Sequence, residues 1–122
     1  MPRQSLTDKR MIDELERGRE LLLSDPSSHK LLSSLRRKLQ SVTRNIYVVR
    51  WIPEQTEDLY DVLVDGTSVV RVEVPRDART AEVVFEKFGV EEYLNRRLTK
   101  PDRRKLELAL GLAQRVGRVS EA

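Results

Sequence analysis

The chain has 122 residues, no cysteine and a single histidine, with 39% hydrophobic and 35% charged residues. This length fits one domain with one core, and the composition is that of a globular rather than a disordered chain. The lack of cysteine excludes disulfides and thiolate chemistry, and no apolar stretch is long enough for a signal peptide or a membrane span. We therefore expect one cytoplasmic domain over 1–122, frayed at about 1–6 and 118–122.

The net charge of +3 is the sum of three segments of different sign. Residues 1–50 carry 11 Lys/Arg and 6 Asp/Glu, residues 51–95 carry 4 and 11, and residues 96–122 carry 8 and 3. If these segments occupy different parts of the fold, the two ends form basic surfaces that attract polyanions. Alternatively, the basic ends fold against the acidic middle segment and pair with it.

The predicted fold is α+β, with two N-terminal helices, a three-stranded antiparallel meander and then two or three C-terminal helices. An amphipathic pattern predicts the first helix over 8–24, and Asp25 with Pro26 is a start signal for a second helix that runs to about Thr43. Alternating β-branched and aromatic residues predict strands over 46–52, 59–64 and 68–74. A helical period then returns and predicts helices over about 78–88, over 90–98, and from about Thr99 to just before Gly117.

The turn between the second and third strands determines which residues share a face. A two-residue loop at Asp65 and Gly66 would divide the apolar residues of the two strands between opposite faces. A three-residue loop of Val64, Asp65 and Gly66, with Gly66 in the left-handed conformation, gathers them on one face. We therefore predict the three-residue loop, with one shared face for Tyr60, Val62, Val64, Val70, Val72 and Val74.

The second predicted helix carries the strongest binding pattern, a stripe of cations and hydroxyls. Its members are Lys30, Ser34, Arg37, Ser41 and Arg44, with Arg36 and Lys38 beside them. Between Pro26 and Pro53 there are six basic residues and no acidic one. Such a stripe suits a nucleic-acid backbone, because each neutralised phosphate releases counterions. The alternative is a solvated helix face whose cations only aid solubility.

A second basic cluster lies at the junction of the last two predicted helices. We name it the C-terminal basic cluster; it consists of Arg96, Arg97, Lys100, Arg103, Arg104 and Lys105. One interpretation is a helix-turn-helix corner, but its first helix is short and its turn lacks glycine. We favour a charged helix junction.

Two carboxylates on neighbouring predicted strands, Asp61 and Glu73, introduce a possible third function. Together with the sequence that follows Glu73 they resemble the metal-binding Asp and the Glu-x-Lys element of restriction-endonuclease-like nucleases. The resemblance implies metal-dependent cleavage of nucleic acid, but Pro75 stands where the family has its catalytic lysine. A cross-strand charge cluster with Arg71 explains the same residues without a metal. We predict no catalytic residue, no metal and no cofactor.

The first strand is apolar on both faces although it is expected at a sheet edge. Regular alternation places Ile46, Val48 and Ile52 on one face and Tyr47, Val49 and Trp51 on the other. Either a helix covers the second set, or Tyr47, Val49 and Trp51 form an interface with a partner or with a second copy of the chain.

These patterns favour a small non-enzymatic regulatory or accessory protein that contacts nucleic acid through its basic helices. The alternative is a protein-binding inhibitor or adaptor, of antitoxin, immunity or anti-defence type, that acts through the sheet edge or the acidic middle segment. A degenerate nuclease is the third interpretation. The expected partners are nucleic acid, another protein or a second copy, since nothing indicates a membrane or a small-molecule substrate.

Overall fold

The computed structural model describes residues 6–24, 29–39, 44–75, 84–96 and 98–121. Helices α1 (Leu6–Ser24) and α2 (His29–Leu39) precede the strands β1 (Ile46–Pro53), β2 (Glu57–Val64), β3 (Ser68–Pro75) and β4 (Val84–Gly89). Helices α3 (Val90–Leu94) and α4 (Lys100–Glu121) follow. The strands form one antiparallel sheet in the order β1-β2-β3-β4. The fold is α+β as predicted, but the meander has a fourth strand.

The predicted helix over 78–88 is wrong from Val84 onward, because this segment forms β4. The strand pairs with β3 from Val84, opposite Glu73, to Gly89, opposite Ser68. Pairing satisfies backbone groups at the outer side of β3 and buries the ring of Phe88. The first part of the predicted helix, residues 78–83, lies outside the described residues. Gly89 therefore ends a strand and precedes α3, which is shorter than predicted.

Helix α4 begins as predicted and ends later. The Oγ1 atom of Thr99 accepts a hydrogen bond from the backbone N–H of Asp102 at 3.2 Å, which is the N-cap contact that the sequence indicates. The helix continues through Gly117 to Glu121, so the predicted end before Gly117 is wrong. A glycine inside a helix costs about 1 kcal/mol, which is too little to end a helix of this length. None of the described helices combines the length and apolarity needed to cross a membrane.

Helices pack on both faces of the sheet. The first face carries Tyr47, Val49, Leu63, Val69 and Phe88, which pack with residues of α1, α3 and α4 such as Leu15, Tyr93, Leu106 and Ala109. The second face carries Ile46, Val62, Val64, Val70 and Val72, which pack with Leu31, Leu32 and Leu35 of α2. Helix α1 contributes Leu15 to the first core and Leu22 to the second. These leucines of α1 and α2 are therefore buried on the two faces of the sheet.

The turn between β2 and β3 confirms the predicted face and shifts the predicted loop. Val64 lies opposite Ser68, so the loop is Asp65, Gly66 and Thr67, one residue later than expected. The N–H of Thr67 donates to the carbonyl of Val64 at 3.1 Å. Gly66 has the predicted positive φ of 69°, and an added Cβ would lie 3.3 Å from the Cβ of Ala113 in α4. Close packing against α4 and positive φ both favour glycine there.

A β-bulge interrupts β1 and changes which residues share a face. Val48 lies opposite Val62 and Arg50 lies opposite Asp61, so Val49 is an extra residue in the ladder. Alternation shifts by one position beyond a bulge. Trp51 consequently pairs with Tyr60 on the second face. The prediction that Trp51 shares a face with Tyr47 and Val49 is wrong for this reason.

Candidate functional site

A row of alternating charges, which we name the charge row, crosses the first face of the sheet. Arg50 of β1 lies opposite Asp61 of β2. Arg71 of β3 lies on the other side of Asp61, and Glu86 of β4 is opposite Arg71. Opposite charges on neighbouring strands stabilise their pairing. At the β1 end, Nε of Arg50 lies 3.7 Å from Oδ2 of Asp102. The charge row thus connects all four strands with α4.

Asp61 is the buried centre of the charge row, with 3% of its side chain exposed. Its Oδ1 accepts a hydrogen bond from Nε of Arg71 at 2.9 Å. Its Oδ2 accepts from Nη2 of Arg71 at 3.3 Å and from the hydroxyl of Tyr93 at 2.6 Å. Burial, and after it the hydrogen bond to Asp61, raise the pKa of Tyr93 above its ordinary value. The phenol therefore holds its proton and remains a donor to Asp61.

The carboxylates that resemble a nuclease element occupy different environments. Both oxygens of Asp61 accept hydrogen bonds from protein donors, whereas Glu73 lies opposite Leu59 and Val84. The predicted ion pair of Asp61 with Arg71 is present, with the two residues directly opposite rather than diagonal. In the part of the chain that the structure describes, no group of three or more His, Asp or Glu side chains is placed to hold a metal ion.

Two arginines of the C-terminal basic cluster contact β4 and α3. The guanidinium carbon of Arg96 lies 3.9 Å from the ring centroid of Phe88, and its Nη2 lies 3.6 Å from Oε1 of Glu86. Nη2 of Arg103 donates to the carbonyl of Leu94 at 2.8 Å, at the end of α3. A cation over a ring and a cation at the last carbonyls of a helix are both stabilising contacts. These arginines therefore contribute to the packing of the fold.

Two further members of this cluster join α4 to α1. Arg104 donates to both carboxylate oxygens of Asp8, at 3.1 Å and 2.7 Å. Nζ of Lys105 lies 3.3 Å from Oε2 of Glu14. Lys100 is exposed, and Arg97 lies outside the described residues. These contacts join α4 to α1, whereas the predicted junction is that of the last two helices, where Arg103 contacts the carbonyl of Leu94.

The basic side chains of α2 are differently placed. Arg37 and Lys38 are exposed and Arg36 is half-buried, and the helix contains no acidic residue. Within the described residues none of the three forms an ion pair. The Nε of Arg36 is buried and has no hydrogen-bond acceptor among those residues. Arg37 and Lys38 are therefore exposed cations that form no ion pair within the described part of the chain.

Arg44 lies in the segment between α2 and β1 and is exposed. Its carbonyl accepts a hydrogen bond from Nε of Arg19 at 2.7 Å, so a cation of α1 lies beside it. The guanidinium carbon of Arg19 also lies 5.8 Å from the ring centroid of Tyr47. The side chains of Lys30 and Ser34, and the whole of Ser41, lie outside the described residues. Of the predicted stripe, only the side chains of Arg37 and Arg44 belong to the described part of the chain, and both are exposed.

The three predicted interface residues of β1 differ in their exposure and in the face of the sheet on which they lie. Tyr47 and Val49 are 2% and 3% exposed and pack in the first core, where α1 and α4 cover them. For these two residues the structure matches the alternative in which helices cover the face. Trp51 is 58% exposed and lies on the second face.

The surroundings of Trp51 were not predicted. Its ring is nearly parallel to that of Tyr60, at 11° and 6.4 Å between centroids, and its Nε1 donates to Oδ1 of Asp58 at 3.4 Å. One signal for this arrangement was present in the sequence. Regular alternation places the charged Arg50 on the apolar face of Val48, and a bulge is the ordinary way to avoid that conflict.

Compared with known protein families, curated proteins and solved structures, the chain has no match. Its candidate sites therefore rest on its own residues and contacts.

Proposed function

We propose that this protein is a non-enzymatic regulatory or accessory protein that binds nucleic acid through α2 and the adjoining Arg44. One observation carries the proposal. Arg36, Arg37 and Lys38 form no ion pair with the rest of the described chain, whereas four cations of the C-terminal basic cluster contact other parts of the protein.

The chemistry expected at this surface is contact with phosphates. Lys and Arg on one exposed helix face bind the nucleic-acid backbone, and each phosphate that they neutralise releases counterions. Arg19 adds positive charge beside Arg44, because its guanidinium donates to the carbonyl of that residue. Backbone contacts carry no direct sequence information, so binding should depend strongly on salt and weakly on sequence.

The test is anisotropy of a fluorescent duplex DNA and of a fluorescent single-stranded RNA, measured between about 50 and 200 mM NaCl. The variant combines Arg37→Gln, Lys38→Gln and Arg44→Gln, which are exposed and spare the half-buried Arg36. A charge-matched control combines Lys9→Gln, Lys87→Gln and Arg115→Gln, which are exposed on α1, β4 and α4. The slope of log affinity against log salt should fall by about 0.9 for each duplex phosphate that the variant no longer neutralises. Equal slopes for variant and control would refute the proposal.

A protein-binding role, as inhibitor or adaptor, is a second candidate. The observation that favours it is Trp51, the single tryptophan of the chain, which is 58% exposed in a segment rich in acidic residues. Aromatic residues on a protein surface are frequent anchors of protein interfaces. This role is independent of α2, because it uses an acidic segment of the chain rather than a basic one. Loss of one function therefore does not imply loss of the other.

A further inference from the structure

Arg19 of α1 is a half-buried arginine that forms no ion pair among the described residues. Its Nε donates to the carbonyl of Arg44 at 2.7 Å, a contact that spans 25 residues of sequence. Its guanidinium carbon also lies 5.8 Å from the ring centroid of Tyr47. These two contacts fix the guanidinium between α1 and the start of β1.

The position of Arg19 is unusual because carboxylates lie closer to it in the sequence. Glu16 precedes it by one helical turn, at a spacing that favours ion pairs, and Glu20 follows it directly. Burial raises the pKa of the Tyr47 hydroxyl, the charge of Arg19 lowers it and that of Glu16 raises it, so both charges act on this group. Within the described part of the chain, however, neither carboxylate forms an ion pair with Arg19. The guanidinium lies instead beside the backbone of a second cation, and a bound anion would relieve the repulsion between the two.

The outer edge of the Arg19 guanidinium has the chemistry of an anion site. Among the described residues its only hydrogen bond is the one from Nε, so Nη1 and Nη2 keep their donors. These two nitrogens form a planar fork that fits two oxygens of a phosphate group. Because the side chain is already fixed, it loses little conformational entropy when a ligand binds. Arg44, whose carbonyl holds Arg19, exposes its own side chain.

We propose that Arg19 is a phosphate-binding residue and that it forms, with Arg44, a phosphate site between α1 and the start of β1. This inference rests on the proposed function and adds a residue of α1 to it. The ligand is a phosphodiester group of the nucleic-acid backbone. The fork of Arg19 holds it through two hydrogen bonds, and Arg44 attracts it through its charge.

The first test is the salt dependence of binding to the fluorescent duplex DNA between about 50 and 200 mM NaCl. Arg19→Gln should lower the slope of log affinity against log salt by about 0.9, which corresponds to one duplex phosphate. Arg17→Gln is the matched control, because it removes the same charge from an exposed position on the same helix. Its slope should match that of the unchanged chain. Equal slopes for Arg19→Gln and Arg17→Gln would overturn the proposal.

Arg19→Lys separates the fork from the charge, and it serves as the second variant if Arg19→Gln does not fold. Lysine keeps the charge, so the salt slope should stay near that of the unchanged chain. Its one nitrogen cannot present the paired donors of the fork while it is bonded to the carbonyl of Arg44. Affinity at fixed salt should therefore fall by about tenfold, the loss expected for one hydrogen bond to a charged group. An unchanged affinity would overturn the role of the fork.

Competition distinguishes a phosphate ligand from an acidic protein segment, since carboxylates also fit a guanidinium fork. Decathymidine and decaglutamate carry similar charge, and each is titrated against the labelled duplex. Decathymidine should displace the duplex at the lower concentration, and Arg19→Gln should reduce this preference. Displacement at the lower concentration by decaglutamate would overturn the phosphate ligand.

The variants also separate the role of Arg19 from the proposed function. If the combined α2 and Arg44 variant loses slope while Arg19→Gln behaves like Arg17→Gln, the basic surface of α2 stands and the role of Arg19 falls. If the unchanged chain binds neither duplex DNA nor single-stranded RNA, both fall together. Loss of slope in the combined variant and in Arg19→Gln, but not in Arg17→Gln, is the result expected.

Discussion

The two basic regions of the molecule look alike in the sequence and differ in the fold. In the C-terminal basic cluster, Arg104 and Lys105 meet Asp8 and Glu14, which lie 96 and 91 residues away along the chain. On α2, Arg37 and Lys38 meet no acidic partner within the described residues. A count of cations therefore says little about binding until the distant carboxylates are placed. The difference separates cations that join α4 to α1 from cations that have no ion pair among the described residues.

The largest expected change in the free energy of unfolding comes from removing Asp61, the ion-pair partner of Arg71 in the sheet. Asp61→Asn leaves Arg71 without its carboxylate and should lower the free energy of unfolding by about 2–4 kcal/mol, less than for a fully buried pair because Arg71 is 25% exposed. Glu86→Gln, at the exposed end of the charge row, should cost under about 0.5 kcal/mol. Urea denaturation measures both. Similar losses for the two variants would show that burial does not distinguish paired cations in this protein.

The next effect concerns Tyr93, which shares Asp61 with Arg71. Its pKa is raised in the folded state, so above about pH 10 the folded chain binds more protons than the unfolded chain, and the free energy of unfolding falls as pH rises. Tyr93→Phe should cost about 1–2 kcal/mol at neutral pH, and the stability of this variant should fall less steeply between about pH 9 and 11. Some slope remains, because burial also raises the pKa of Tyr47. Parallel curves for the two proteins would contradict this role.

A smaller effect is expected between α1 and α4. Arg104 is 47% exposed, so its pair with Asp8 should contribute much less to stability than the buried pair of Asp61 with Arg71. A double-mutant cycle with Arg104→Gln and Asp8→Asn measures this coupling directly. Lys100→Gln is the control, since Lys100 is exposed and belongs to the same basic cluster. A coupling near zero would mean that the pair of Arg104 with Asp8 does not help to hold α1 against α4.

The smallest effect on stability should come from α2. Arg37→Gln with Lys38→Gln should change the free energy of unfolding by less than about 0.5 kcal/mol, because neither side chain has a partner among the described residues. The same variant should weaken the binding of nucleic acid and reduce its dependence on salt. If urea denaturation showed a loss of more than about 1 kcal/mol, Arg37 and Lys38 would stabilise the fold as Arg104 does, and the two basic regions would not differ in this respect.

The elements that could be predicted from sequence are those with a strong local pattern. The stripes of α1 and α2, the strands β1 to β3 and the Thr99 cap of α4 all carry such patterns. Strand β4 does not, because Val84, Phe85 and Phe88 fit a helical spacing and become a strand through pairing with β3. Among the site residues, Arg37 was predicted on a polar helix stripe with Lys38 beside it, and both side chains are exposed. The partners of Arg104 and Lys105 could not be predicted, since they come from the other end of the chain.

Because of the bulge at Val49, β1 contains one residue more than its pairing with β2 requires. Val48 pairs with Val62 and Arg50 pairs with Asp61, as they would in a regular ladder one residue shorter. Deletion of Val49 would empty a place in the first core but leave the charge row and the pairing of Trp51 with Tyr60 in register. Gain of a residue in a regular strand would normally exchange the two faces of everything downstream. Deletion at this one position is therefore a change that keeps the residues after it on their original faces.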